Sequence, residues 1–208
     1  MGRRRSSNTL RRRRKQDFLT RPLFRLLVLC LLMDCALFPQ VALGQTDSAG
    51  EYELKAAMLY HLTLFVEWPP SAYPNSEAPT ILCILGRDPF GNALTSVVSG
   101  QPAARRRVEV RHMQNANEVR TCQVLYIGSS EKKNIVQVLS ALRGASVLTV
   151  GEMAQFATRG GMIQFSLEEK QVRFDINLDE ASQADLKISS KLLTLSRIVK
   201  DQAKKPGG

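Results

Sequence analysis

Thr80-Ile81-Leu82-Cys83-Ile84-Leu85-Gly86 is a short run of apolar residues closed by glycine. It lacks the polar–apolar alternation of a half-exposed strand, so it reads as a strand buried on both faces, the kind found in α/β sheets. Cys122-Gln123-Val124-Leu125-Tyr126-Ile127-Gly128 reads as another strand, and Val147-Leu148-Thr149-Val150 as a further one. Helical stretches lie between them. Asp88-Pro89 opens a helix with proline in the first turn, and Phe90, Leu94, Val97 and Val98 face inward. Ser129-Ser130 caps a helix carrying Ile135, Val138, Leu139 and Leu142. Val108-Glu109-Val110 alternates, as a more exposed strand should, and Glu152 to Phe156 is expected to be a short helix.

Upstream, Tyr52, Leu54, Ala56-Ala57-Met58, Leu62 and Leu64-Phe65 recur with near-helical spacing up to Glu67. Asp47 or Ser48 is placed to cap this helix, and Trp68-Pro69-Pro70 ends it, because proline disfavours helix in the residue before it. Downstream, Gly160-Gly161 breaks the chain. Met162-Ile163-Gln164-Phe165 then pairs with Val172 to Asn177 across Glu168-Glu169-Lys170 as a hairpin. Leu186 to Val199 reads as a final helix with a broad apolar face. Apolar strands alternating with helices predict a single α/β domain. Its layers are mixed, its sheet is partly parallel, and a C-terminal hairpin plus helix completes it.

The first 44 residues have a different character. Met1 to Arg25 carries ten Lys and Arg residues, then Leu26 to Met33 is apolar, and Ala42-Leu43-Gly44 supplies small residues before Gln45. These are the three parts of a secretory signal. A membrane anchor needs roughly 20 uninterrupted apolar residues, and Asp34, Pro39 and Gln40 interrupt this run. Residues 1–44 are therefore expected to be a signal peptide cleaved near Gly44, leaving a protein that does not span the membrane. Residues 45–51 form a flexible mature N-terminus, 52–200 the folded domain, and 201–208 a polar tail.

Removing the leader changes the charge. It holds ten of the 29 basic and two of the 19 acidic residues, which leaves 19 basic against 17 acidic, a net charge of +2. The +10 of the whole chain would suggest nucleic acid as a partner, and the mature chain does not. Arg105-Arg106-Arg107 remains, read as a solvated strand edge. Two cysteines also remain, Cys83 and Cys122. In an exported domain such a pair is either bridged or two buried apolar thiols, and export favours the bridge.

No catalytic constellation emerges. His61 and His112 have no Cys, Asp or Glu at metal-ligand spacing, so no metal site is expected. Gly86-Arg87-Asp88-Pro89-Phe90-Gly91 has phosphate-loop glycines, but Asn92 and Ala93 stand where Lys and Ser or Thr are required. Gly128-Ser129-Ser130 lacks the second glycine of a nucleophile elbow. Neither catalytic residues nor a cofactor are predicted. Phe65, Trp68 and Tyr73, with Met58, gather around the end of the first helix, either as core packing under a tucked loop or as an interaction surface.

Further residues carry a resemblance. Leu54 to His61 with Phe65-Val66-Glu67-Trp68-Pro69, Cys83 to Gly91, Cys122 to Ile127, Leu148 to Glu152, Phe156, Gly160 to Ile163, Phe174 to Asn177 and Leu186 to Leu193 together resemble the YfiR family, from Tyr52 to about Val199. The resemblance implies a soluble periplasmic protein that forms homodimers and binds the periplasmic sensor domain of an inner-membrane diguanylate cyclase. It implies repression of that enzyme, lowering cyclic-di-GMP signalling and biofilm formation, and a structural Cys83–Cys122 disulfide. Some members carry a second cysteine pair in the C-terminal half, which this sequence lacks. The other reading is a ligand-binding or accessory subunit of another envelope system, such as a sensor kinase or transporter.

Overall fold

The computed structural model describes residues 45–100, 106–115 and 118–200. The proposed leader, Arg105 and the polar tail lie outside them. The elements run α1 Gln45–Phe65, β1 Val66–Glu67, β2 Thr80–Leu85, α2 Asn92–Ser99, β3 Val108–Met113, β4 Val124–Ile127, α3 Ile135–Ala141, β5 Leu148–Gly151, β6 Ile163–Glu168, β7 Gln171–Asn177, α4 Leu178–Gln183, β8 Lys187–Ile188, α5 Ser190–Leu193 and β9 Arg197–Val199. Seven strands form one sheet in the order β3-β2-β4-β5-β6-β7-β9, and β1 pairs separately with β8. Only the β6–β7 hairpin breaks the parallel run. The fold is therefore the mixed, mostly parallel α/β class expected.

Burial on both faces follows from the side-chain period of two. All six residues of β2 are buried. Leu82 and Ile84 point into a core with Ala56, Leu59 and Leu62 of α1 and Leu94 of α2. Ile81, Cys83 and Leu85 point the other way, against Ile135 and Val138 of α3. Strand β4 divides in the same manner, Val124 and Tyr126 to one side and Leu125 and Ile127 to the other, so the sheet separates two cores. β3, at the edge, is the more exposed strand, with Arg111 and His112 facing solvent.

The chain crosses back over β2 between β3 and β4, and the crevice at such a switch point is where doubly wound folds take phosphates. Here two loops close it. Gly128 N donates to Leu85 O at 2.8 Å and Arg87 N donates to Ser130 Oγ at 2.8 Å. A Cβ on Gly128 would stand 2.5 Å from the Arg87 carbonyl oxygen, so glycine permits this contact.

Five expectations need correction. Asp88-Pro89 does not open α2, which begins at Asn92 after Gly91; Asp88 Oδ1 instead accepts from Phe90 N at 2.7 Å in the turn before it. The first helix already runs from Gln45, so Asp47 and Ser48 lie inside it rather than at its start. Ser130 spends its hydroxyl on Arg87, Ser129–Lys133 is a 3-10 turn, and α3 begins at Ile135. Glu152 to Phe156 is not helical; a single 3-10 turn follows at Ala157–Arg159. Leu186 to Val199 is not one helix either. Ser189 Oγ caps the single turn α5, whereas the β-branched residues Ile188, Ile198 and Val199 join strands β8 and β9.

Candidate interaction surface and the clamp beneath it

Phe65, Trp68 and Tyr73 are all half-buried, and each is engaged within the protein. Trp68 Nε1 donates to the Gln123 carbonyl at 3.1 Å. The Phe65 carbonyl accepts from Ser189 N at 2.9 Å, next to the β1–β8 pair, and its ring packs against the core. Tyr73 lies under the Arg106 guanidinium, 3.9 Å from the ring centroid, and shares a 3.3 Å hydrogen bond with Thr80 Oγ1.

Two residues organise this region: Gln123, to which sequence reasoning gave no role, and Arg106, which it read as part of a solvated strand edge. Gln123 is 5% exposed. Its Oε1 accepts from Ile81 N at 2.8 Å and its Nε2 donates to Ala72 O at 2.7 Å. Its own N donates to Ile81 O at 2.9 Å, and its carbonyl also accepts from Leu148 N at 2.8 Å. Arg106 donates to the carbonyls of Ser76 at 2.7 Å and Ala78 at 2.8 Å, so this arginine of the triplet straps a loop. A buried glutamine beside a cysteine was the one signal available, because a buried amide must find partners.

Adjacent to Gln123, Cys122 is bridged to Cys83, with Cα atoms 5.9 Å apart, inside the usual disulfide range. The bond closes a separation of 39 residues, worth about 4 kcal/mol on the chain-entropy account. Both cysteines are fully buried in the α3-side core.

At the other margin of the molecule β9 forms the sheet edge. Arg197 fastens it through Asp175 at 2.7 Å and Glu168 at 2.6 Å. Hydrogen bonding to Arg197 holds the Glu168 carboxyl below the ordinary carboxylate range. The opposite face is apolar. Ile198 pairs with Ile176, and Leu167 follows Ile163 and Phe165 at strand period, on the face that forms the α1-side core. That face extends past its cover: Leu167 is 51%, Ile198 57% and nearby Leu195 71% exposed.

The match to known families concerns this whole assembly. A model of the YfiR/HmsC-like family matches residues 52–197, from the first helix to the edge strand. The chain belongs to the YfiR/HmsC-like family. In this member of that family no helix among the described residues is long and apolar enough to cross a membrane. The bridged cysteines fit an oxidising compartment.

The remaining polar cluster of this YfiR/HmsC-like chain joins α1 to the end of β5. Lys55, 3% exposed, pairs with Glu51 and with Glu152 at 2.7 Å, and Tyr52 OH donates to Glu152 Oε1 at 3.1 Å. Burial pulls the Lys55 ammonium down, but hydrogen bonds and charge from Glu152 and Glu51 outweigh it and set its pKa above the ordinary lysine value. The Tyr126 hydroxyl is buried without a hydrogen-bond partner among the described residues, and burial together with the Glu152 charge raises its pKa. One cation neutralises one of two carboxylates there, and the geometry ties elements together. The histidines lie elsewhere: His61 is exposed on α1, and His112 Nε2 meets Asp88 Oδ2 at 2.8 Å.

Proposed function

We propose that this protein is a periplasmic regulatory binding protein, not an enzyme, that represses a membrane-bound diguanylate cyclase. It does so by engaging the cyclase's periplasmic sensor domain, which lowers cyclic-di-GMP signalling and biofilm formation. Membership of the YfiR/HmsC-like family supports this reading. The observation that carries it is the uncovered edge, where Leu167, Leu195 and Ile198 stand beside a strand whose outer side pairs with no strand among the described residues. Exposed strand edges are templates for strand addition, and alternating apolar side chains supply specificity. Repression needs only unequal affinity for two states of the target, which a patterned surface provides.

The leader delivers the protein to the periplasm and is removed near Gly44, and the working form is a homodimer. Phe65, Trp68 and Tyr73 contribute their exposed portions to the same contact surface. The C-terminal segment supports this arrangement, since it starts beside Phe65 at β8 and ends at the β9 edge.

The test is a photo-crosslinking residue at position 198, expressed in the native envelope and followed by mass spectrometry. A crosslink to a membrane cyclase with a periplasmic sensor domain, lost in an Ile198→Asp/Leu195→Asp protein of unchanged melting temperature, is expected. A crosslink to a sensor kinase or transporter instead would replace the pathway. Undiminished cyclase binding by the doubly substituted protein would remove the edge from the contact.

A further inference from the structure

A groove of about 780 Å³ opens between α3 and α4, remote from the closed switch-point crevice. Its volume falls within the ~300–1,000 Å³ of small-molecule sites. Leu139 and Met162 line it, and Val136 at its margin is 62% exposed. Arg143 and Arg159 line it as well. Among the described residues, neither guanidinium has an ion-pair or hydrogen-bond partner. The guanidinium groups of Arg106, Arg107, Arg111, Arg120, Arg173 and Arg197 are all engaged. Arg87 shares the unengaged state but lies outside the groove. One carboxylate, Glu180, stands in the lining against the two arginines, a formal balance of 2 − 1 = +1.

We infer that this groove binds a small amphiphilic anion, a carboxylate carrying an alkyl or aryl body. Guanidinium groups match carboxylates in a planar, two-pronged geometry, and charge-assisted pairs of this kind are the stronger class of hydrogen bond. Apolar surface beside them would bury the body of the same ligand, with Val136 gaining the most cover. Neither feature alone selects this ligand; an alcohol satisfies only the apolar part, and inorganic anions only the arginines. The inference does not depend on the partner of the β9 edge.

The experiment titrates phenylpropionate and phenylpropanol into the folded protein, read by amide NMR shifts. Phenylpropionate is expected to shift the amides of Arg143, Gly144, Arg159 and Gly160, and to bind about tenfold or more tighter than phenylpropanol. An Arg143→Gln/Arg159→Gln protein is expected to lose that preference. Equal binding of acid and alcohol by the unsubstituted protein overturns the inference, whatever the variant does. So does the absence of shifts at these amides at millimolar phenylpropionate.

Discussion

Trp68 and Gln123, separated by 55 residues, are joined by the indole N–H and a strand-end carbonyl at 3.1 Å. Gln123 also fills the gap between Ala72 and Ile81 with its side chain. Gln123→Ala leaves a buried N–H and a carbonyl without partners and is expected to cost about 2 kcal/mol. Trp68→Phe keeps an aromatic ring but loses the N–H donor, at about 1 kcal/mol, together with some of the indole's packing. Urea denaturation checks both. Trp68 is the sole tryptophan, so its emission in folded Gln123→Ala protein should shift to the red as the loop loosens. An unchanged spectrum and midpoint would deny the clamp.

Replacing Cys83 and Cys122 together by alanine is expected to lower stability by about 4 kcal/mol, with loss of the constraint on the unfolded chain as the main cause. Reduction of the unaltered protein should reproduce that loss. Through that loss of stability, the reduced protein is also expected to release the proposed target. A Cys83→Ser protein that stays folded and represses fully would refute the link between bond and binding.

Lys55 gives a dependence on alkaline pH. Its folded pKa is raised, so its contribution is complete below the unfolded value, roughly 10.4, and fades as pH rises through the folded one. Tyr52 and Tyr126 are raised also and act in the same direction above about pH 10. Lys55→Met should cost about 3 kcal/mol at neutral pH, where it leaves Glu51 and Glu152 without their cation. The gap between the two proteins should narrow above pH 10.4, measured by denaturation at several pH values; a constant gap would contradict this account.

The β6–β7 turn can be improved. Glu169 and Lys170 both have positive φ, 50° and 63°. Two-residue hairpin turns of this shape favour Asn-Gly, since a side chain in the left-handed region costs roughly 1–2 kcal/mol. Glu169→Asn/Lys170→Gly is expected to raise stability by about 1 kcal/mol. Thermal melting decides, and a lower midpoint would mean that the native side chains compensate.

The strands were legible because burial on both faces writes itself as an unbroken apolar run: Thr80–Leu85 is such a run, and all of it is interior. The hairpin was legible from glycine punctuation and alternation, and its pairing of Phe165 with Phe174 is as that pattern requires. The segment from Leu186 to Val199 was misread because its apolar residues serve two short strands and one helical turn. Summed together, those short periods imitate a helix. Arg106 and Gln123 were invisible for a different reason. Their partners are backbone carbonyls and amides, which leave no trace in side-chain identity. The exposed edge was hidden likewise, because Ile198 has the same letter whether covered or bare.

The two cores on either face of the sheet share no side chains. Substitutions at Val138 are therefore screened from those at Leu59 by a layer of backbone, and their effects should add. In evolutionary terms the molecule has two ledgers of drift. The half behind α3, anchored by the cysteine bridge, is free to accumulate changes without compensation from the half beneath α1. Each half can thus change its side chains without a matching change in the other.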